Sequence, residues 1–134
     1  MDRILQIKQS FKSICDRLGH DWPVFTAPRH DGSPHIEAHG DEFSYVVTER
    51  GSELERRTTD SQDDLLYWLA SDMVFSLAGH YERNHRVPGQ DSRRIMFARE
   101  LELMGRIEPT WQARRGVEIM DILSRHPYRD QTEV

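Results

Sequence analysis

Leu65-Leu66-Tyr67-Trp68-Leu69-Ala70-Ser71-Asp72-Met73-Val74-Phe75-Ser76-Leu77-Ala78-Gly79-His80-Tyr81 decides the fold, because wound as a helix this run is apolar on nearly every side. A helix of that kind belongs in the middle of a domain. At about 1.5 Å per residue the run covers roughly 25 Å, the width of a small domain and short for a membrane span. Asp72 and His80 also argue against lipid. The expected molecule is therefore a soluble domain wrapped around one central helix.

Working outward, Asp60-Ser61-Gln62-Asp63-Asp64 supplies an N-cap and first-turn acids, close to a capping box with Asp in place of Glu or Gln. The helix should run from about Gln62 to about His85, where Val87-Pro88-Gly89 must end it. Gly79 sits inside at a cost of ~1 kcal/mol relative to Ala, so another element is expected to approach closely there. Upstream, Phe43, Tyr45 and Val47 alternate with Ser44, Val46 and Thr48, the spacing and content of a strand. Arg50-Gly51-Ser52 makes a turn, and Leu54 to Thr59 returns as a second strand with a wet face or exposed edge. Between Asp21 and Gly40, Pro23, Pro28, Pro34, Gly32 and Gly40 break any helix, leaving loop and at most an edge strand over His35–His39.

At the N-terminus, Ile4, Ile7, Phe11, Ile14 and Leu18 form an amphipathic stripe that Gly19 stops. Cys15, the only cysteine, lies beside the stripe and reads as a small buried apolar group. Downstream, Asp91-Ser92 caps a helix carrying Phe97, Leu101, Met104 and Ile107. Pro109 opens a last helix with Trp111, Ile119, Ile122 and Leu123, which His126-Pro127 closes. The fold class is α+β, mainly α: an N-terminal helix, a small antiparallel sheet of two or three strands, and three helices, the central one (about 62–85) buried. All 134 residues should form a single domain: helix plus Pro/Gly-rich loop (1–40), hairpin (41–59), helical part (60–125) and a polar tail (126–134) whose last residues, Asp130–Val134, should fray.

With 31% charged and 37% hydrophobic residues the composition is that of an ordinary globular protein. No signal-peptide run opens the chain, and the expected compartment is the cytoplasm. The net charge of -5 is located in one place. Residues 41–64 carry eight acids (Asp41, Glu42, Glu49, Glu53, Glu55, Asp60, Asp63, Asp64) against three bases, while the flanking parts balance. Such a segment is either a solvated hairpin and helix start or an acidic face for a basic partner.

Motifs for chemistry are sparse. Seven histidines invite a metal reading, but His35 and His39 on a strand would stand roughly 13 Å apart, and His80 and His85 turn to different sides. No compact ligand set is present, so neither a metal nor a cofactor is expected. Phosphate loops and a nucleophile elbow are absent, no acid pair stands out, and the local charge has the wrong sign for nucleic acid. The most specific polar cluster is Glu82, Arg83 and Arg86 followed by Asp91, Arg93 and Arg94. Across a short turn these should meet in an ionic network that locks two helix ends, or in an anion-binding corner. Tyr67, Trp68 and Trp111 read as core aromatics.

At these residues a resemblance enters. Glu55-Arg56-Arg57-Thr58-Thr59-Asp60, Leu65-Leu66-Tyr67-Trp68, Tyr81-Glu82 with Arg86, Asp91-Ser92-Arg93-Arg94-Ile95-Met96-Phe97 and Leu101-Glu102-Leu103-Met104 with Trp111 stand in an order that resembles the bacterial immunity protein 63 family over roughly residues 43–128. The resemblance implies a small cytosolic, non-enzymatic protein that neutralises a cognate polymorphic toxin, with a basic nuclease as one candidate class. Tyr67, Trp68, Glu82, Arg86, Asp91, Arg93, Arg94 and Phe97 would then chiefly keep the fold. The hypothetical toxin contacts are the eight acids of residues 41–64, with no direct nucleic-acid or membrane partner. Two other readings stand beside it: a small ligand-binding or hydrolytic domain using the Glu82/Arg86/Asp91/Arg94 corner, and an adaptor or oligomerisation module. Toxin identity and oligomeric state are not readable.

Overall fold

A computed structural model describes residues 2–131. In order along the chain it has α1 (Arg3–Leu18), β1 (Asp31–His39), β2 (Glu42–Glu49), β3 (Ser52–Thr59), α2 (Gln62–Asn84), α3 (Ser92–Ile107) and α4 (Pro109–Arg125). The fold is α+β and mainly helical. Contacts divide the chain into two compact units, Met1–Ser71 and Asp72–Val134.

In the first unit, Asp2 caps α1 through its carboxylate, and Gly19 ends it in the left-handed conformation (φ 64°) with bonds back to Asp16 and Cys15. Ile7, Phe11 and Ile14 are buried, as their spacing requires. The three strands form one antiparallel sheet in the order β1-β2-β3. A first strand longer than the expected His35–His39 is the main departure from the sequence reading. Pro34 is tolerated because β1 is an edge and its ladder slips between Asp31 and Pro34. Phe25 covers part of that edge, its carbonyl accepting from Ile36 N–H at 2.9 Å. Arg50 and Gly51, both at positive φ (51° and 80°), make the two-residue turn between β2 and β3. A second slip, between Val47 and Thr48, lets β3 fit one extra residue, and Leu54 is left largely exposed.

The start of α2 shows why Asp can replace Glu in a capping box. Ser61 Oγ accepts from Asp64 N–H at 3.1 Å, the expected cap. Asp64 is one methylene short for the reciprocal bond, and Thr59 closes the gap. Its hydroxyl accepts from Ser61 N–H at 3.0 Å and donates to Asp64 Oδ2 at 2.9 Å. Leu65, Leu66, Tyr67, Leu69 and Ala70 then follow almost without an exposed position.

In the second unit, α2 continues with Met73, Val74 and Ala78 buried and Phe75 60% exposed. An added methyl at Gly79 would meet Arg83 Nη1 at 3.4 Å and Met96 Cε at 3.9 Å, ordinary contact distances to flexible ends. The close approach expected there is therefore not what keeps the glycine. Glu108 alone separates α3 from α4 and caps both, with Pro109 at the first position of α4. The two helices pack together, and Gly105 leaves room for Gln112, whose amide donates to the Leu101 carbonyl at 2.9 Å.

Candidate functional site

Four of the acids singled out from the sequence, Glu42, Glu49, Glu53 and Glu55, lie on the sheet, and its register sorts the set. Phe43 stands opposite Thr59, so Glu42 and Asp60 flank one end of the β2–β3 ladder, with Asp41 in the adjoining turn and Asp63 and Asp64 in the first turn of α2. Glu49 lies at the other end of β2, roughly 24 Å away at the usual rise. Glu53 pairs across from Thr48 and Glu55 across from Val47, which turns them to opposite faces. The eight acids thus do not share one surface; five of them share one end. Glu53 and Glu55 are bound by Arg56 (2.7 Å) and Arg57 (3.1 Å), and Asp64 by Thr59. The side chains of Asp41, Glu42 and Asp60 are exposed and hold no ion pair or hydrogen bond among the described residues. Arg3 stands at the same end, its guanidinium 4.0 Å above the Phe43 ring and bonded to the carbonyls of Gly40 and Asp41.

Over one face of the sheet, Glu37 gathers charges that sequence reasoning missed. Its carboxylate lies 2.9 Å from His35 Nε2, from His39 Nε2 and from Arg56 Nη1. Arg56 belongs to β3 and Glu37 to β1, so the pair spans β2, about 10 Å across two strand spacings. Above all the Arg56 hydrogen bond, then those of His39 and His35, holds the Glu37 carboxyl at about 2. The alternation His35-x-Glu37-x-His39 on the expected edge strand was the available signal, but the strongest partner of Glu37, Arg56, lies two strands away, a distance no local spacing encodes. On the other face Arg57 lies over Tyr45 (4.2 Å) and Trp68 (4.9 Å), whose rings meet edge-on at 6.2 Å. Trp68 is only partly buried, whereas Tyr67 and Phe97 are buried.

The arginine corner of the second unit resolves into separate sets. Glu82, itself buried, accepts two bonds from Arg86 at 3.0 and 2.8 Å, and that guanidinium lowers its carboxyl. Asp91 accepts from the Arg93 side chain and from the backbone of Arg93 and Arg129, which together hold its carboxyl well below the usual range. Arg93 continues to the carbonyls of His126 and Pro127, both at 2.8 Å. Arg94 grips Asp130 with two nitrogens and lies 4.1 Å over the Tyr128 ring. Asp91 N–H donates to Asp130 as well, and Gln131 N–H to the Gly89 carbonyl at 2.7 Å.

The expected frayed tail is thus fastened as far as Gln131, and residues 132–134 lie outside the described part. Asp91, Arg93 and Arg94 clamp this C-terminal strap rather than meeting Glu82 and Arg86. A shallow cavity of about 320 Å³ nearby is lined by Pro88, Gly89, Gln90, Asp130 and Gln131, without the guanidiniums that a catalytic reading of the corner needs.

A further pair was invisible from the sequence. Glu100 of α3 is 3% exposed and meets Arg115 of α4 at 3.1 Å, with Glu118 on the far side of the guanidinium. Burial pushes the Glu100 carboxyl up, against the pull of Arg115. Among the described residues no group of three or more His, Cys, Asp and Glu side chains could hold a metal ion, and no helix is long and apolar enough to cross a membrane.

Comparison with curated proteins and with solved structures gives no match. The sequence model of the family described as Immunity protein 63 matches residues 39–121, close to the 43–128 expected and more than half of the chain. It runs from the end of β1 into α4, through the acidic end of the sheet, the cap of α2 and the whole of α3, and by that match the chain belongs to the immunity protein 63 family.

Proposed function

We propose that this chain is a stoichiometric inhibitor that binds a cognate bacterial toxin domain in the cytoplasm and covers its working surface. One observation carries the reading: within the family-matched segment, Asp41, Glu42 and Asp60 stand together at one end of the sheet with their charge uncommitted inside the chain. Unpaired surface carboxylates raise association rates with a basic partner and select against acidic ones. Glu49, Glu53, Glu55, Asp63 and Asp64 extend the contact set, the paired ones contributing less because their arginines already neutralise them. A nuclease toxin, whose cleft is basic because it holds phosphates, is the class this end complements. The action is one of binding and needs no catalytic group, metal or cofactor from this chain.

The test is to find the gene neighbouring this one and to co-express the chain with the toxin domain that the reading expects it to encode. Cells that die from the toxin alone should survive when the chain is present, and the two proteins should co-purify at a fixed ratio. Undiminished killing in the presence of soluble, folded chain overturns the reading.

A further inference from the structure

A groove of about 540 Å³ lies between α1 and the extended residues 21–24, open to solvent on one side. Its lining is Phe11, Cys15, Trp22, Pro23 and Val24, with Lys8, Lys12 and Asp21 at the lips. Phe11 and Cys15 form a buried floor, 1% and 4% exposed. The wall is fixed at both ends: Trp22 N–H hydrogen-bonds the Cys15 sulfur, and Phe25 is tied to Ile36. This volume falls in the range of sites that bury a few apolar side chains.

The charge around the groove is opposite to that of the chain. Its lips carry Lys8 and Lys12 against Asp21 alone, a formal +1 in a protein of net -5. Lys8 and Lys12 are neighbours one helical turn apart, a like-charge spacing that helps no isolated helix. Lys8 has no acidic partner among the described residues, and Lys12 reaches Asp16 only at 3.9 Å with both side chains mostly exposed. Two cations thus stand over an apolar floor, while Asp21 on the opposite lip keeps a second anion away. The whole groove lies outside residues 39–121, so it is an addition to what the family match covers.

We infer that this groove docks a partner polypeptide through an apolar side chain seated on Phe11, Trp22 and Val24, followed by a carboxylate that bridges Lys8 and Lys12. An extended segment suits a trough open on one side better than a compact small molecule does. The inference is independent of the toxin-blocking reading, because it concerns a different surface and is read without any toxin.

The probe is a pair of terminally blocked peptides, each with a Leu-Phe core, one flanked by glutamates and the other by lysines. Both are titrated into the full chain and followed by amide and indole NMR. The acidic peptide should shift the Trp22 indole and the amides of residues 8–15 and 21–24, leave the Trp68 and Trp111 indoles in place, and bind with a Kd on the order of 1 mM. Lys8→Glu with Lys12→Glu, both exposed positions, should weaken it at least about fivefold while the far-ultraviolet dichroism stays unchanged. Equal shifts from the lysine peptide, shifts confined to other surfaces, or no shift at a peptide concentration of about 5 mM would overturn the inference.

Discussion

At the Gly40 end of the sheet, the carboxylates of Asp41, Glu42 and Asp60 hold no partner among the described residues, whereas at the start of α3 the side chain of each of Asp91, Arg93 and Arg94 is bound by at least two groups of the same chain. Both regions are charge-rich, and both invited a functional reading. The difference lies in where the charge is spent. A guanidinium already holding two carbonyls and a carboxylate has little left for a ligand, and displacing its partners would release the strap from His126 to Gln131. A carboxylate facing water has lost nothing on folding and can be neutralised by a partner later. We therefore propose that the corner keeps the fold and that the acidic end is the region left free to act.

Four substitutions sharpen that contrast, the largest effect first. Arg115→Met leaves the buried Glu100 carboxylate unpaired and should cost about 3 kcal/mol in chemical denaturation. Replacing Glu100 as well, in Arg115→Met with Glu100→Met, should recover most of it. A single variant as stable as the parent would mean the pair is not buried as described.

Arg93→Ala should lower the thermal midpoint and release hydrogen-exchange protection at Arg129 and Gln131 before any loss in α1. Uniform protection along the chain would separate the strap from Arg93.

Glu37→Gln tests the bridge across β2 and should cost about 1–2 kcal/mol at pH 7, discounted because the side chain is a quarter exposed. Since the folded carboxyl sits at about 2, below its ordinary value of 4.5, the wild-type advantage is complete above about pH 4.5. It should fade as pH falls toward 2. A stability difference that is flat across that window removes the bridge from the account.

Gly79→Ala should be smallest and favourable, up to about 1 kcal/mol, because the helix gains propensity and nothing rigid blocks the methyl. A destabilised variant would restore the close approach that the sequence pattern led one to expect.

These cases also mark what a sequence can carry. Local physics was legible: the apolar stripe and Gly19 stop of α1, the start of α2 at Ser61, and Pro109 opening α4 all follow from spacing and capping within a few residues. β1 was shortened in the reading because Pro34 normally argues against a strand, and only the edge position and the slipped register excuse it. The strap was missed because Asp130 meets a residue 36 positions away, and no periodicity encodes that distance. Glu100 and Arg115 gave no signal for a similar reason, since a buried ion pair between helices looks like two exterior positions. Among the acids, composition found the segment, but the register was needed to separate the Gly40 end from Glu49.

The most direct measurement is the association rate with the cognate toxin, taken by stopped flow across a range of salt concentrations for the parent and for Asp41→Lys with Glu42→Lys and Asp60→Lys. These exposed, unpartnered positions should change stability by less than about 0.5 kcal/mol. Association should slow by about tenfold or more at low salt, with a flatter salt dependence. An unchanged rate and slope in a folded triple variant would contradict the acidic end as the surface that meets the toxin.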